Sequence, residues 1–472
     1  MKKLALYTIV ITMLGLGACD VLNPNVTGDV YVDNAGATSS WMNGLRRQLA
    51  LTMNQVVVST ELVSDNYFNN RTLSSKVFDI PQIDYFDLDV NNMQVQIQTL
   101  RTMAEYGLST VLPKDSSTRD SLVAEVYFSL GFAHLLSGEI FVGLPATDKG
   151  GVLTPAEHLN TAISNLDKAI SLQSNVAEKA AYTLLKARAY YSLGDAANAA
   201  KFAQEAMGNT ALLRQVKYDG ANGVSNDMQT YIFSSVNNEF APLPRLDFLD
   251  PKYYHINLIA TDQKPVTIVK AEEAWLILAE TQISANNLDA GRTTLKNLLT
   301  NVVAQRPTVQ LDDSKETRNG GNRKDYPLTS AQVKFDAEDS PKSGYVLDRK
   351  AGPVTAYTVS GTKVTPSLLD GAVTQDQLLY LLYRMRQEIF FAEGRRMMDL
   401  GIKFPVSQTE QLNNSNVKDA DIKAQIPSFI PLNRGMDDFT YDVTNNLVTM
   451  KYDMNRVLVS NKTSPFIFPF IK

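Results

Sequence analysis

Few side chains in this 472-residue chain have the types and spacing that catalysis requires. His134, His158 and His255 do not converge by their spacing, and none belongs to a metal-ligand motif. Asp312 and Asp313 adjoin each other, but among 50 acidic residues such neighbours occur by chance and do not indicate a glycosidase dyad. The sequence has neither a glycine-rich phosphate loop nor a nucleophile-elbow serine motif. These features favour a protein that is not an enzyme.

One short segment begins like a calcium-binding loop. Asp87 and Asp89 are followed by Asn91, but Asn92 stands where the turn needs glycine and Gln98 stands where a bidentate glutamate belongs. We therefore expect Asn91 or Asn92 to cap the next helix. The sequence predicts no metal and no cofactor.

Cys19 is the only cysteine, and it lies where a secretory signal would be cleaved. Two lysines and an apolar stretch from Leu4 to Leu16 precede it, an order typical of a signal peptide over residues 1–18. The stretch is shorter than the roughly 20 residues of a membrane span. Cys19 resembles the lipobox cysteine of bacterial lipoproteins, which implies acylation of its thiol. The alternative is an ordinary signal peptide with a chance cysteine.

Composition narrows the range of partners. Removing the two lysines of the signal peptide changes the formal net charge from −5 to −7, which argues against nucleic acid as a partner. A single cysteine excludes an internal disulfide, so stability must come from packing. No segment after the signal peptide is expected to span a bilayer, so the lipid is the expected membrane attachment.

The elements that must position any site are mostly helices. Three segments carry small residues at the spacing of tetratricopeptide repeats, where such residues lie at the crossing of paired helices. These positions are Tyr127, Leu130, Gly131 and Gly138; Ala180, Ala187, Tyr190, Gly194, Ala199, Ala203 and Ala206; and Trp275, Ala279, Asn286, Gly291, Leu295 and Leu298. Helix pairs are therefore predicted over about 123–208 and 268–300, with Pro155–Leu172 as a delayed partner helix. Gly194 and Asn286 are expected to form left-handed turns.

Two further helices are predicted over Thr38–Ser64 and Asn92–Val111, where apolar residues recur at intervals of three and four residues. Residues 212–265 and 304–372 are rich in Gly, Pro, Asn and Asp, which predicts loop-rich insertions. The apolar C-terminal end is expected to pack. The predicted fold is mainly α, with interrupted tetratricopeptide-like helix pairs, long irregular loops and minor short strands, in a single domain over 19–472.

Two longer motifs carry a family resemblance. The first is KAEEAWLILAE at Lys270–Glu280, and the second, at Tyr383–Gly401, contains EGRRMMDL. Together they resemble the SusD/RagB family of Bacteroidota outer-membrane lipoproteins, whose pattern Glu-Gly-x-Arg-x-x-Asp-Leu is matched by Glu393, Gly394, Arg396, Asp399 and Leu400. The resemblance implies a SusD-like fold.

The second motif is interpreted as a structural clasp. A spacing of three places Glu393, Arg396 and Asp399 on one face of a helix, with the charges minus, plus and minus. Such pairs stabilise a fold most when they are buried and bidentate. We therefore expect these residues and Gly394 to hold the fold rather than a ligand.

The resemblance also implies that the protein binds nutrients. Sugars present apolar C–H faces ringed by hydroxyls, so aromatic side chains beside amides and charges suit them. The candidate ligand-binding residues are Asn66, Tyr67, Phe68, Arg71, Tyr85 and Tyr254. The alternative is that most of these aromatics fill the core beneath long loops. Trp41 and Trp275, the only tryptophans, lie on predicted helices, which argues against a glycan platform built on tryptophan.

The expected function is that of a surface-exposed, lipid-anchored protein of the outer membrane. The resemblance implies that it works with a TonB-dependent SusC-like transporter to capture oligosaccharides, or in some members peptides, for import. The alternative is a tetratricopeptide-like envelope scaffold without a nutrient ligand.

Overall fold

The computed structural model describes residues 36–71, 77–233, 239–314, 316, 321–433 and 435–471. The predicted signal peptide and Cys19 lie outside these residues, so the lipid anchor stays a prediction. A hydrophobic core extends through the described chain from Ala37 to Phe468. Helices supply most of this core and strands are few and short, which confirms the predicted fold class.

Fifteen helices occur in the described ranges. They are α1 (Ala37–Val63), α2 (Leu88–Tyr106), α3 (Leu112–Lys114), α4 (Asp120–Ile140), α5 (Pro155–Leu172), α6 (Val176–Ser192), α7 (Ala196–Met207), α8 (Asp227–Ile232), α9 (Ala271–Ser284), α10 (Leu288–Asn301), α11 (Pro366–Gly371), α12 (Gln375–Ile389), α13 (Arg396–Asp399), α14 (Gln408–Asn413) and α15 (Met454–Ser460). A π-helical turn spans Gly107–Val111, and 3₁₀ helices span Pro244–Tyr253 and Val303–Gln305.

The strands form small separate sheets. They are β1 (Tyr67–Asn69), β2 (Leu144–Pro145), β3 (Val152–Leu153), β4 (Leu213–Val216), β5 (Phe240–Pro242), β6 (Val266–Lys270), β7 (Thr308–Leu311), β8 (Gln332–Lys334), β9 (Val354–Tyr357), β10 (Phe439–Asp442) and β11 (Leu447–Met450). Antiparallel pairs join β1 to β5, β2 to β3, β4 to β6 and β7 to β9, and β11 lies between antiparallel β10 and parallel β8. Five of these strands, β4, β5, β7, β8 and β9, lie in the two insertions predicted to be loop-rich.

The helix pairs follow the repeat positions. α5 has the predicted bounds because Thr154 and Glu157 form a capping box, with Glu157 N donating to Thr154 Oγ1 at 3.3 Å. Gly194 (φ 73°) turns α6 into α7, and Asn286 (φ 59°) turns α9 into α10. Both residues are left-handed, as predicted. The alanines of α7 at the predicted repeat positions, Ala199, Ala203 and Ala206, are buried where this helix packs.

α2 begins earlier than the sequence predicted. The Asp87 carboxylate accepts a hydrogen bond from Asp89 N at 2.8 Å and caps the helix. The prediction that Asn91 or Asn92 provides the cap is therefore wrong, because Asp87 caps the helix four residues before the earlier of them. The segment that resembles a calcium loop is the first turn of this helix.

α4 is the one helix in the described ranges that is long and apolar enough to cross a membrane. This corrects the expectation that no later segment reaches that length. In the structure 72% of its most apolar window is buried inside the protein, against neighbours that include α5. We therefore interpret α4 as a core helix.

The apolar C-terminal end packs, as expected. Phe468 is fully buried, and its ring centroid lies 4.2 Å from that of Tyr383 on α12. Phe470 meets Tyr191 of α6 edge-on, with 5.2 Å between the ring centroids. The last residues thereby connect two helices that are far apart in sequence.

Candidate functional site

The Glu-Gly-x-Arg-x-x-Asp motif does not lie on one helix. α12 ends at Ile389, α13 begins at Arg396, and the residues between them form turns. Ala392 (φ 58°) and Gly394 (φ 71°) are left-handed, which no continuous right-handed helix permits. The predicted helical face with alternating charges is therefore wrong, and each charged residue of the motif contacts a different part of the protein.

Glu393 binds two buried lysines. Its Oε1 accepts hydrogen bonds from Lys252 Nζ at 2.5 Å and from Lys270 Nζ at 2.8 Å. The next residue, Gly394, donates its N–H to Glu61 Oε1 at 2.7 Å. Burial raises the pKa of Glu61 to about 7 and lowers that of Lys270 to about 8. Hydrogen bonds thus connect the turn around Gly394 to α1, to the 3₁₀ helix Pro244–Tyr253 and to β6.

Arg396 pairs with Asp65, just after α1. Its Nε and Nη2 donate to the two Asp65 carboxylate oxygens at 2.5 and 3.0 Å, and both side chains are almost fully buried. Arg245 and Gln387 also donate to Asp65 Oδ2, at 3.1 and 2.9 Å. Burial alone would raise the pKa of Asp65, but the arginine charges, with the hydrogen bonds from Arg396 and Gln387, hold it below its usual range.

Asp399 accepts a bidentate contact from Arg386 of α12, whose Nη2 lies 2.7 Å from Asp399 Oδ1. Beside this pair, the hydroxyls of Tyr191 and Tyr383 donate to Glu280 at 2.9 and 3.2 Å. Burial raises the pKa of Glu280 to about 7. We call Glu393, Gly394, Arg396 and Asp399, with the partners named above, the buried clasp. Its burial favours the structural interpretation of the motif.

The ligand candidates at the start of β1 are in the core. Asn66 is fully buried, donates to Glu61 Oε2 at 2.7 Å and accepts from Gln387 Nε2 at 2.9 Å. Tyr67 is also fully buried, and its ring stacks on Phe391 with 4.8 Å between centroids. Neither side chain offers a surface to a ligand in this conformation.

Tyr254 and Arg71 lie apart from that segment. Tyr254 is buried, stacks on Phe233 at 4.1 Å and donates its hydroxyl to Asp250 and Glu316. Arg71 is half-buried, and its N–H donates to the main chain of Glu239 at 3.2 Å. The predicted set therefore does not form one site. For Tyr67 and Tyr254 the structure agrees with the alternative that aromatic residues fill the core.

Tyr85 lines an open groove. We call this cavity, of about 530 Å³ and lined by residues within 80–85 and 422–433, the Tyr85 groove. Tyr85 meets Phe86 edge-on at 5.6 Å, and the Phe86 side chain is 61% exposed. Lys423 and Asn433 supply polar groups to a wall that is otherwise rich in isoleucine and proline.

Phe68 leads to a second, more polar cavity. It has a volume of about 220 Å³ and lies where β1 meets β10 and the 321–326 loop. The lining residues are Phe68, Asn69, Asp79, Asn322, Arg323, Asp325, Asp437 and Asp438. We call it the Phe68 pocket. It combines an aromatic side chain with amides, carboxylates and a guanidinium, the mixture that the sequence predicted for the neighbourhood of Phe68.

Arg323 is fixed at the rim of this pocket. Its guanidinium carbon lies 3.6 Å from the ring centroid of Phe439, and its Nη2 donates to Phe439 O at 2.8 Å. It also pairs with Asp325 through both carboxylate oxygens, at 3.1 and 2.9 Å. Opposite lie Asp437, which is buried, and Asp79, which accepts from Asn69 N at 2.8 Å.

The pocket holds one carboxyl group whose pKa is raised by its surroundings. Burial first, and then the charge of Asp79, raise the pKa of Asp437 well above its usual range. Sequence reasoning missed Asp437, because it lies more than 350 residues from Asp79 along the chain. Among the described residues no three carboxylate, histidine or cysteine side chains are grouped to hold a metal ion.

The structure also brings together two histidines whose spacing in the sequence did not indicate a contact. His134 of α4 and His158 of α5 lie with their Nδ1 atoms 3.0 Å apart. His158 Nε2 is 2.9 Å from Leu144 O, so it donates there and leaves Nδ1 to accept from His134. Burial lowers both pKa values, that of His134 to about 3. The pair is a neutral link between two core helices.

Comparison of the whole structure with solved structures gives consistent relatives. A SusD-like carbohydrate binding protein from Bacteroides vulgatus is 11% identical, with a TM-score of 0.52 over 77% of this chain and 82% of that one. A SusD-like protein from Bacteroides fragilis is 12% identical, with a TM-score of 0.52 over 85% and 99% of the two chains. A SusD superfamily protein from Bacteroides thetaiotaomicron is 12% identical, with a TM-score of 0.51 over 82% and 98%.

At the level of sequence, no protein-family model and no curated protein matches the chain. The structural likeness nevertheless extends over most of both chains in all three cases. The chain therefore has the fold of the SusD-like proteins.

Proposed function

We propose that this protein is a SusD/RagB-type nutrient-binding lipoprotein of the outer membrane, with a single domain over residues 19–472. Acylation of Cys19 would tether it at the cell surface. There it would capture oligosaccharides or peptides and deliver them to a TonB-dependent SusC-like transporter. The observation that carries the proposal is the SusD fold, which this chain shares with a protein described as carbohydrate binding.

The Phe68 pocket is the best supported place for a ligand. Amide and carboxylate side chains form paired hydrogen bonds with neighbouring hydroxyls, and Asn322, Asp325 and Asp438 present such groups at its edge. Phe68 supplies an apolar surface at its base. A cavity of about 220 Å³ is smaller than most ligand sites and suits one sugar unit or one amino-acid side chain.

The Tyr85 groove would contact a longer ligand. Its volume of about 530 Å³ is within the usual range of ligand cavities, and exposed Phe86 beside Tyr85 offers a surface for stacking. Tyr85 thereby stays, with Phe68, an aromatic candidate of the predicted set that lines a cavity. The buried candidates Asn66, Tyr67 and Tyr254 would act by supporting the structure around the pocket.

We propose that the protein binds its ligand without transforming it. The buried clasp satisfies its charges internally, and both buried histidines are held neutral within the helix pairs. Purified protein should therefore leave the oligosaccharides and peptides that it binds chemically unchanged. Turnover of either class would revive an enzymatic function.

The experiment is an affinity purification from the native membrane combined with a glycan and peptide array. Co-purification of a barrel transporter, together with binding to a defined glycan or peptide, is the expected result. A matched Cys19→Ser variant should lose membrane attachment and keep the same array profile. Co-purification of other envelope proteins without a transporter, and no array ligand, would instead indicate the tetratricopeptide-like scaffold.

A further inference from the structure

We propose that the buried clasp includes a bound water molecule, held between Arg395 and Glu139 in a small cavity beside Glu393. This site lies apart from the Phe68 pocket and the Tyr85 groove and goes beyond the proposed function. Arg395 occupies a position that the SusD/RagB pattern leaves open, so the family resemblance does not imply the site. Three observations support it: hydrogen-bonding groups that the fold leaves unused, a cavity of suitable size, and balanced charges around that cavity.

The guanidinium of Arg395 is buried with much of its hydrogen-bonding capacity unused. Only 7% of the residue is exposed, and neither Nε nor Nη1 donates a hydrogen bond to a residue that the structure describes. Its Nη2 lies 3.3 Å from Glu273 Oε1, and its Nη1 lies 3.8 Å from Glu139 Oε2. Glu273 already accepts two hydrogen bonds from Arg188, at 2.7 and 2.5 Å. Arg395 is therefore attracted to both carboxylates but keeps two N–H groups that need an acceptor.

Glu139 supplies the matching acceptor. Its Oε1 accepts from Ser192 Oγ at 3.0 Å, whereas its buried Oε2 accepts no hydrogen bond from the described part of the chain. The 3.8 Å between Oε2 and Arg395 Nη1 is too long for a direct hydrogen bond. A water that bridges two such groups is enthalpically nearly as good as a direct hydrogen bond. It would accept from Nη1 and donate to Oε2, which satisfies two groups whose isolation in the core is costly.

The cavity that both side chains line has the size of one water molecule. Its volume is about 20 Å³, and a water molecule needs roughly 10–15 Å³. Buried waters typically make about three hydrogen bonds to groups that are otherwise unsatisfied. Arg395 Nε, Arg395 Nη1 and Glu139 Oε2 are three such groups. The cavity therefore suits a single water, and it is too small for a sugar unit or an amino-acid side chain.

The charges around the cavity balance, which favours a neutral occupant. Arg188 pairs with Glu273, and Lys270 donates to Glu393 at 2.8 Å. An anion or a metal ion would add a charge to a set that is already neutral. Three cationic and three anionic residues line the cavity, namely Arg188, Lys270, Arg395, Glu139, Glu273 and Glu393.

The water would connect the turn before α13 to α4. Glu139 lies near the end of α4, and Arg395 directly precedes α13. The direct hydrogen bonds of Glu393 and Gly394 reach α1, the 3₁₀ helix Pro244–Tyr253 and β6, but not α4. A water bridge would thus add the central core helix to the contacts of the motif.

A crystal structure of the full-length protein, at a resolution that shows ordered waters, tests the proposal. One spherical density peak should lie about 2.7–3.2 Å from both Arg395 Nη1 and Glu139 Oε2. A second crystal soaked in sodium bromide distinguishes water from an anion, because bromide scatters anomalously. The peak should show no anomalous signal.

Two variants locate the site. Arg395→Met removes both unused donors, so the peak should disappear and the thermal midpoint should fall, because Glu139 Oε2 stays buried without a donor. Arg47→Met removes an exposed arginine of α1 that does not line the cavity, and it should keep both the peak and the midpoint. The structure of the parent protein decides the proposal even if Arg395→Met does not fold.

Four results would overturn the inference. They are the absence of a peak between the two side chains, a direct hydrogen bond between Arg395 and Glu139 that closes the cavity, an anomalous bromide signal at the site, and an unchanged peak in Arg395→Met. Each of these results would leave the proposed function standing, because ligand capture and transporter binding are measured separately.

Discussion

Replacing Arg396 by alanine should destabilise the protein strongly, because it leaves Asp65 buried with too little compensation. The side chain of Asp65 is 1% exposed and accepts two hydrogen bonds from Arg396. Removing one partner of a buried ion pair costs roughly 3–5 kcal/mol. Arg245 and Gln387 would still hold Asp65, so we expect the lower end, about 3 kcal/mol.

This energy converts into a measurable shift of the thermal midpoint. Unfolding entropies of about 2.1 cal/mol/K per residue give roughly 1 kcal/mol/K for a chain of 472 residues, so the midpoint should fall by about 3 °C. The matched control is Arg46→Ala, which breaks a pair with Glu125 whose arginine side chain is 52% exposed. Surface pairs contribute about 1 kcal/mol or less, so the control should shift the midpoint by about 1 °C at most.

The loss of stability in Arg396→Ala should also depend on pH in a defined direction. The pKa of Asp65 is lowered in the folded protein, so its ion pair stabilises fully above the unfolded value near 3.9 and loses this effect as the pH falls through the folded value. Without Arg396, burial should raise that pKa instead. The deficit of the variant should then be largest near pH 7 and shrink on acidification. Circular dichroism melts at pH 7 and pH 5 measure both quantities.

Two outcomes would refute the reasoning. A midpoint shift no larger than that of Arg46→Ala would mean that the buried pair contributes little beyond what its neighbours supply. A deficit that grows on acidification would mean that Asp65 is not the group left unpaired. If ligand affinity per folded molecule falls while stability is unchanged, the clasp is part of a binding site and its structural interpretation is wrong.

Three further predictions follow from the same contacts. Gly394→Val should lower the free energy of unfolding by about 2 kcal/mol or more, because φ is 71° and a Cβ would lie 3.0 Å from Thr60 Oγ1. Titrations should show an unchanged ligand affinity per folded molecule, and an unchanged thermal midpoint would contradict the prediction. Burial raises the pKa of Glu280 to about 7, so its stabilising contribution is present below pH 4.5 and lost as the pH rises through 7. Between pH 5 and pH 8, thermal melts of Glu280→Gln should therefore show a smaller fall in stability with rising pH than those of the parent protein. The same fall with pH in both proteins would refute the prediction. Tyr67→Ala should lower stability by about 3–5 kcal/mol without changing ligand affinity, because Tyr67 is fully buried. Tyr85→Ala should weaken ligand binding and leave stability unchanged, because Tyr85 lines the groove. Titrations that show the reverse would exclude the Tyr85 groove as a binding site.

Local patterns predicted the helical elements well. The bounds of α5 follow from Thr154, a proline in the first turn and a glutamate at the third helical position, all of which act within a few residues. Gly194 and Asn286 were placed in left-handed turns for the same reason. The start of α2 was misplaced because aspartate and asparagine cap helices equally well, and spacing does not choose between them.

The prediction failed where contacts are long-range. Spacing alone placed Glu393, Arg396 and Asp399 on one helical face, but the left-handed Gly394 lies between Glu393 and Arg396 and breaks that helix. Asp65 and Arg396 are 331 residues apart, and His134 and His158 meet only because α4 packs on α5. None of these pairings leaves a pattern within a window of the sequence.

The sequence by itself determined the helix pairs and their turns, the expected anchor at Cys19 and the motif that indicates a SusD-like fold. These features depend on short-range periodicity, on helix capping and on the residue pattern of a signal peptide. Only the tertiary structure decided that Tyr67 is buried while Tyr85 is accessible, and that Asp437 lies beside Asp79 in the Phe68 pocket. Burial and electrostatic environment depend on which distant segments pack together, so the same residue type becomes core, clasp or binding surface according to its neighbours in space.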